Sequence, residues 1–274
     1  MKFWVIPIVC CLALCANAAT KKVSIDQVPP GVQKAIKQEL RQDKLIEIEE
    51  EDESGEKTYT VTRAHGATER FFVVNSDGIL TSVEIALDET PPAVQKTIKA
   101  KVADGSLDSV EKNLEDNEIS YDIDMTRKDG LERSFSVTLD GKLASEQISL
   151  GEAPEPARKT IEAHLDQGRI ADVYKLYEEN EVYFDAEVER DGRARDVIVT
   201  PEGKLESIQM FLSELPEGAQ KTIRQNVGTG TIVRIDKSFQ KRQGVETFEV
   251  EARKDGKPLN LVVGPRGRLF EKEH

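Results

Sequence analysis

The side chains of this 274-residue chain best suited to proton transfer or metal ligation at neutral pH are three histidines, His65, His164 and His274. They lie far apart in the sequence, and none has metal-ligand spacing to another. His65 falls in a hairpin loop where sister segments carry Asp-Gly, His164 borders an apolar helical column, and His274 is the last residue. All three read as solvated or incidental. Cys10, Cys11 and Cys15 sit inside the first 18 residues, so the rest of the chain has no thiol for a disulfide, a thiolate zinc site or a nucleophile. With 51 Asp and Glu residues, no pair of carboxylates stands out as a general acid and base. The segment Asn75-Ser76-Asp77-Gly78 has some calcium-loop character, but Val73 occupies its first ligand position and no bidentate Glu follows, so a hairpin turn explains it better. The run Glu49-Glu50-Glu51-Asp52-Glu53 could gather a cation loosely, yet a charge run at a strand end reads as a solvated turn. There is no G-x-S-x-G, phosphate-cradling glycine loop or H-E-x-x-H. The expectation is no catalytic residue, no metal, no cofactor and no enzyme activity.

The first residues, MKFWVIPIVCCLALCANAAT, join one Lys to an apolar run and an A-x-A site at Ala16-Asn17-Ala18. This predicts a secretory signal peptide over 1–18, cleaved before Ala19, and hence a secreted or periplasmic protein with no membrane span in the mature chain. A lipoprotein signal ending at Cys15 is disfavoured by the large Leu12 and Leu14 before it. The net charge of -13 becomes -14 once Lys2 leaves with the leader. So acidic a protein is repelled by nucleic acid and by anionic membrane surfaces; the charge serves solubility or attraction to a basic protein.

Another tempting residue recurs: Lys34, Lys96, Lys159 and Lys221, at intervals of 62, 63 and 62. A second set of anchors, Gly78, Gly141, Gly203 and Gly267, repeats almost identically, so the repeat spans the chain beyond the leader. Each lysine sits in a short helix opened by Pro, with apolar residues four apart, as in Val94, Ile98 and Val102. The lysine lies beside that column, where its stem can pack along the helix edge and its charge reach water. The middle helices are expected to end near Asp104-Gly105 and Gly168.

Beyond each helix the period drops to two, the signature of strands with one apolar face. Asp129-Gly130, Asp191-Gly192 and Asp255-Gly256 mark hairpins between the second and third strands, and Asp77-Gly78 and Asp140-Gly141 between the third and fourth, because Asp-Gly supplies the positive φ of type I′ turns. The expected fold is α+β: four tandem units, each one helix packed on a four-stranded antiparallel sheet, at 26–87, 88–150, 151–212 and 213–274. Units this small are marginal alone, so neighbours are expected to share sheet edges or helix faces in an extended array.

The Pro-x-x-Val/Ala-x-Lys-x-Ile opening, as in Pro91 to Ile98, followed by the stretch from Val137 to Leu143 with its D-G-K-L turn, resembles the PepSY-like and beta-lactamase-inhibitor-like superfamily. The resemblance extends over all four units. It implies an extracytoplasmic, non-enzymatic binding module, since related modules occur in secreted inhibitors and peptidase propeptides. No functional residue carries over, because every matching position is a core, turn or helix-start position.

Contact residues are sought on outward strand positions. Lys112, Lys175 and Lys237 recur on the first strand of three units, with Leu114, Tyr177 and Phe239 two residues later, and Tyr174 and Tyr183 adding aromatic area in the third. Leu114, Tyr174, Tyr177 and Phe239 are the candidate protein-binding residues, since apolar and aromatic side chains anchor interfaces; inter-unit packing is the alternative use. The function expected is a secreted or periplasmic protein-binding module, an inhibitor or chaperone-like partner of an exported enzyme. The alternative is a structural or adhesive envelope repeat protein.

Overall fold

The computed structural model describes residues 20–53, 56–115, 118–178, 181–190, 192–239, 246–254 and 257–273. The expected leader, its cysteines, Asp191, the Asp255-Gly256 turn and His274 lie outside them. The chain divides into two compact units, 1–146 and 147–274.

In unit 1 the order is β1 (Lys21–Lys22), α1 (Pro30–Leu40), β2 (Lys44–Glu53), β3 (Glu56–His65), β4 (Thr68–Asn75), β5 (Leu80–Glu84), α2 (Pro92–Val102), β6 (Ser106–Glu115), β7 (Glu118–Thr126), β8 (Glu132–Thr138) and β9 (Leu143–Gln147). Unit 2 continues with α3 (Glu155–Ala163), β10 (Arg169–Glu178), β11 (Glu181–Arg190), β12 (Arg193–Val199), β13 (Leu205–Gln209), α4 (Glu217–Val227), β14 (Thr231–Ser238), β15 (Thr247–Lys254), β16 (Lys257–Val263) and β17 (Leu269–Glu273). Among the described residues no helix is long and apolar enough to cross a membrane.

The expectation of four helix-on-sheet units, each with its own four-stranded sheet, is overturned. Among the described residues the 17 strands are not divided into four sheets. In unit 1 every strand pairs antiparallel with the next, from β1 to β9. In unit 2 the same holds from β10 to β17. The joints are β5 with β6, through Ser82↔Asn113 and Glu84↔Glu111, and β13 with β14, through Ser207↔Ser238 and Gln209↔Asp236. A short strand left at an edge would expose a row of unsatisfied N–H and C=O groups, and pairing it with the next strand satisfies them.

The four α-helices among the described residues use the same packing logic. Val94 and Ile98 of α2 are fully buried against Tyr121, Ile123, Phe135 and Val137. Ala219 and Ile223 of α4 do the same against Phe248, Val250, Leu261 and Val263. The cores of α1 and α3 repeat the pattern around Phe72 and around Phe184. Truncating one such isoleucine to Ala costs about 2–5 kcal/mol.

The turn between the last two strands is clamped to the helix start. Gly141 has φ +83° and leaves no room for a Cβ, which would lie 2.7 Å from the Ala93 carbonyl carbon. Its own carbonyl accepts a 2.6 Å hydrogen bond from Thr97 Oγ1. Thr160 and Thr222 donate in the same way to Gly203 and Gly267, both at 2.7 Å. In α1 the position is Ala35, which has no hydroxyl to donate. The recurring threonine is thus a latch between helix and turn.

Helix ends differ from expectation in α3, which stops at Ala163, well before Gly168, and is followed by Asp166 and Gln167 at positive φ. The acidic run 49–53 is the end of β2 rather than a turn, with Glu50 accepting a hydrogen bond from Lys57 Nζ at 2.7 Å across the β2–β3 hairpin.

Candidate functional site

Strand alternation gives each unit's sheet two faces, one bearing the helices and one free of them. Register identifies the members of the free face. In unit 2 Tyr174 stands opposite Asp185, and Asp185 opposite Ile198. Glu187 stands opposite Asp196, Ser207 opposite Ser238, Asp236 opposite Glu249, and Arg234 opposite Glu251. A one-residue bulge between Ile232 and Arg234 turns the arginine to this side; an unbulged strand would have put it on the helix side.

Arg234 is the hub. Its Nη1 donates to Asp196 Oδ2 at 2.5 Å, while Nε and Nη2 engage both oxygens of Asp236 at 2.6 and 2.9 Å. The fork geometry of a guanidinium permits this bidentate grip together with a third bond. Burial works against the charge, but the bonds to Asp236 and Asp196 hold Arg234 ionised above its ordinary range.

Asp185 is not served by that hub. The residue keeps some exposure, but its Oδ1 is shut off from solvent and accepts no hydrogen bond. Loss of hydration, and then the neighbouring Asp196 charge, push its carboxyl well above the usual range, with Arg234 only partly opposing. Burial raises Asp236 as well, against the pull of Arg234. Glu187 is raised by burial and by Asp196. The chemistry of the cluster is that of one bound cation among more carboxylates than it can neutralise.

The free face of unit 1 is quieter. Ser136 and Ser145 are buried and share a 2.6 Å hydrogen bond, Asn113 Nδ2 donates to Asp122 at 2.7 Å, and Ser109 Oγ donates to Asp124 at 2.8 Å. Glu111 is raised by burial and steadied by a hydrogen bond with Ser82.

The four contact residues expected from the sequence separate. Tyr174 lies on the free face of unit 2, 8% exposed. Leu114 and Tyr177 are half-buried on the helix-bearing side instead, since their cross-strand partners Ile119 and Val182 pack against the helix cores. Phe239, half-buried just past β14, has its N–H bonded to the Glu206 carbonyl at 3.2 Å. Lys175 lies over the Tyr177 ring at 4.7 Å and Lys237 over Phe239 at 5.1 Å, so these lysines and aromatics form cation–π pairs. The bulge early in each first strand shifts the alternation by one, which is why strand counting assigned Leu114 and Tyr177 to the outward side.

The helix lysines Lys34, Lys96, Lys159 and Lys221 are all exposed. His65 Nδ1 meets Asp43 at 2.9 Å, and His164 Nδ1 lies 2.7 Å from the Thr160 carbonyl, at the end of α3. Among the described residues no three His, Cys, Asp or Glu side chains are grouped to hold a metal ion. Asn75 organises a turn, its Oδ1 accepting from the N–H groups of Asp77 and Ile79 at 3.1 and 2.9 Å.

Asp185, Asp196, Arg234 and Asp236 were missed by sequence reasoning. A signal was present: the position after the strand bulge is Glu47, Ser109, Asp172 and Arg234 in turn, and only the last is basic.

No protein-family model matches the chain, and no curated protein matches it. Solved structures do. A beta-lactamase-inhibitor-like (BLIP-like) protein from Bacteroides fragilis is 14% identical over 44% of this chain and 85% of its own, with a TM-score of 0.33. A DUF2874 family protein from Bacteroides ovatus is 12% identical over 44% of this chain and 86% of its own, with a TM-score of 0.34. The C-terminal domain of Bacillus megaterium YpeB covers 69% of this chain and 97% of its own at 11% identity and a TM-score of 0.22.

Proposed function

We propose that this chain is an exported, non-enzymatic protein-binding module, and that the helix-free face of unit 2 is its main contact surface. One observation carries the reading: a sheet face left uncovered by helices concentrates a charged cluster around Arg234 that the fold itself does not neutralise. Polar groups held half-desolvated on a rigid sheet are poised to be completed by a partner. Tyr174 lies beside Asp185 on the same face but is buried, so the contact reading rests on the charged residues. Leu114, Tyr177 and Phe239 are secondary contact candidates on the opposite side. The leader-like first 18 residues support export to the periplasm or the cell exterior.

The test is a pull-down with the chain from Ala19, immobilised, against extracellular and envelope fractions of its source at low and high salt. One protein enriched at low salt and released at high salt is the expected result. Reproducible small-molecule turnover by the purified chain would overturn the reading. Recovery of only the bait's own copies, with concentration-dependent sedimentation, would favour a structural or adhesive envelope protein.

A further inference from the structure

We infer that the free face of unit 2 receives a basic protein segment, with an arginine or lysine side chain seated against Glu187 and Asp196, above the enclosed Asp185 carboxyl. The inference rests on the protein-binding reading of this face and adds the chemistry of the partner.

Charge on the face is unbalanced in a specific way. Glu187 and Asp196 are direct cross-strand partners, as are Asp236 and Glu249, and like charges placed opposite one another on a sheet repel. Arg234 relieves part of this, with three of its N–H donors directed to Asp196 and Asp236. Asp185, on the strand next to Asp196, is left with an oxygen that neither solvent nor a hydrogen bond reaches. Asp172, two strands from Asp196, takes a 2.5 Å hydrogen bond from Gln147, a neutral donor that leaves its charge in place. Glu251 and Arg253 line the far side of the face and are exposed.

The centre of the face is closed, with Ile198 fully buried, and only its rim keeps part exposure. Side chains of Asp196 and Asp236 retain 22% and 18% exposure, and Glu187 is half-buried. A guanidinium or ammonium arriving there would be attracted through a poorly hydrated environment, where opposite charges interact far more strongly than in water. The carboxylates are spread along and across strands at β spacing, which suits successive side chains of a peptide rather than one ion. An incoming cation also does for Glu187 and Asp185 what Arg234 does for Asp236.

The experiment uses the full chain from Ala19 and a tetra-arginine peptide as probe, with tetra-glutamate as control, followed by isothermal titration calorimetry at low salt. Glu187→Gln and Asp196→Asn are compared with Asp124→Asn on the free face of unit 1, each checked for unchanged melting. The expected result is binding of tetra-arginine alone, weakened about tenfold by either unit 2 variant and unaffected by Asp124→Asn. Absence of binding, or the same loss in Asp124→Asn, overturns the inference. Should an envelope protein captured by the wild-type chain be held equally well by Glu187→Gln and Asp196→Asn, the protein-binding reading stands and this one fails.

Discussion

Two sheet faces built on matching positions meet their charges differently. Thr60, opposite Val73 in unit 1, corresponds to Asp185, opposite Ile198 in unit 2, and Phe71 corresponds to Asp196. Ser109, just past the bulge of β6, corresponds to Arg234, just past the bulge of β14. Unit 1 also carries carboxylates on its face, with Glu111 opposite both Glu84 and Asp122, but short neutral side chains attend them: Asn113 donates to Asp122, Ser109 to Asp124, and Ser136 pairs with Ser145. Unit 2 places Arg234 among several carboxylates there, with Arg253 at the far side. The same backbone thus tolerates two solutions, and the second gathers its carboxylates around a half-buried arginine. Retained strain of this kind marks a place where stability has been given up for something other than folding.

The sharpest way to break the comparison is to remove the hub. Arg234→Ala strands Asp196 and Asp236 in a partly desolvated site and should lower unfolding free energy by about 3 kcal/mol. Ser109→Ala should cost no more than about 1 kcal/mol, the worth of one hydrogen bond. Urea denaturation of both variants measures the difference; equal losses would mean the charged face is no more coupled than the neutral one.

Acidity probes the same contrast. Asp185, Asp236, Glu187, Glu206 and Glu251 in unit 2 all have carboxyls raised first by burial, against Glu111 in unit 1. A raised carboxyl contributes stability that is fully present below its unfolded pKa and is lost as pH rises through its folded value. Acidification from neutral pH toward the ordinary carboxylate range should therefore stabilise unit 2 more than unit 1. Below that range the opposite class takes over: Glu89, held low by the Ala86 N–H and Arg70, and Asp140, lowered to about 2 by Lys142 and Thr138, lose their contribution as they protonate. Asp185→Asn should raise the melting temperature at pH 7 by a few degrees and flatten its rise on acidification. A variant melting lower at pH 7 would show Asp185 to be stabilising as a charge.

Backbone strain offers a reciprocal pair. The residue after α2 is Ala103, at φ 45° and ψ -111°, whereas the residue after α4 is Gly228, at φ 66° and ψ -117°. That region is costly for a residue with a Cβ. Ala103→Gly should stabilise and Gly228→Ala destabilise, each by about 1 kcal/mol. Two changes of the same sign in thermal melts would refute the shared geometry.

The smallest expected effect concerns the latch. Thr160→Ala should cost about 1 kcal/mol or less by freeing the Gly203 carbonyl. Ala35→Thr should add a similar bond in the one helix that lacks it; no gain would mean that the turn at Gly78 is held by packing alone.

Much of the local structure was legible in the residues. Pro at the helix starts, apolar residues four apart and Gly in the turns located the helices within a few residues, because each signal acts through its immediate neighbours. Gly130 and Gly141 have positive φ, but Asp129 and Asp140 before them do not, so these turns are not the type I′ expected from Asp-Gly. The charged face was less legible. Asp185 and Arg234 are distant in sequence, and nothing near either residue states that strand pairing brings them to one cluster.

What the sequence determined alone is therefore short-range: the helix stripes, the turn glycines and the acidic balance, all set by side-chain chemistry and backbone sterics within a few residues. Tertiary structure alone decided three things. Strand edges joined into continuous sheets, since unsatisfied backbone groups take the partner that is nearest in space. Bulges decided which face Leu114, Tyr177 and Arg234 occupy, since one extra residue inverts alternation. Register decided which carboxylates oppose one another, since charge repulsion depends on distance through the fold and not along the chain.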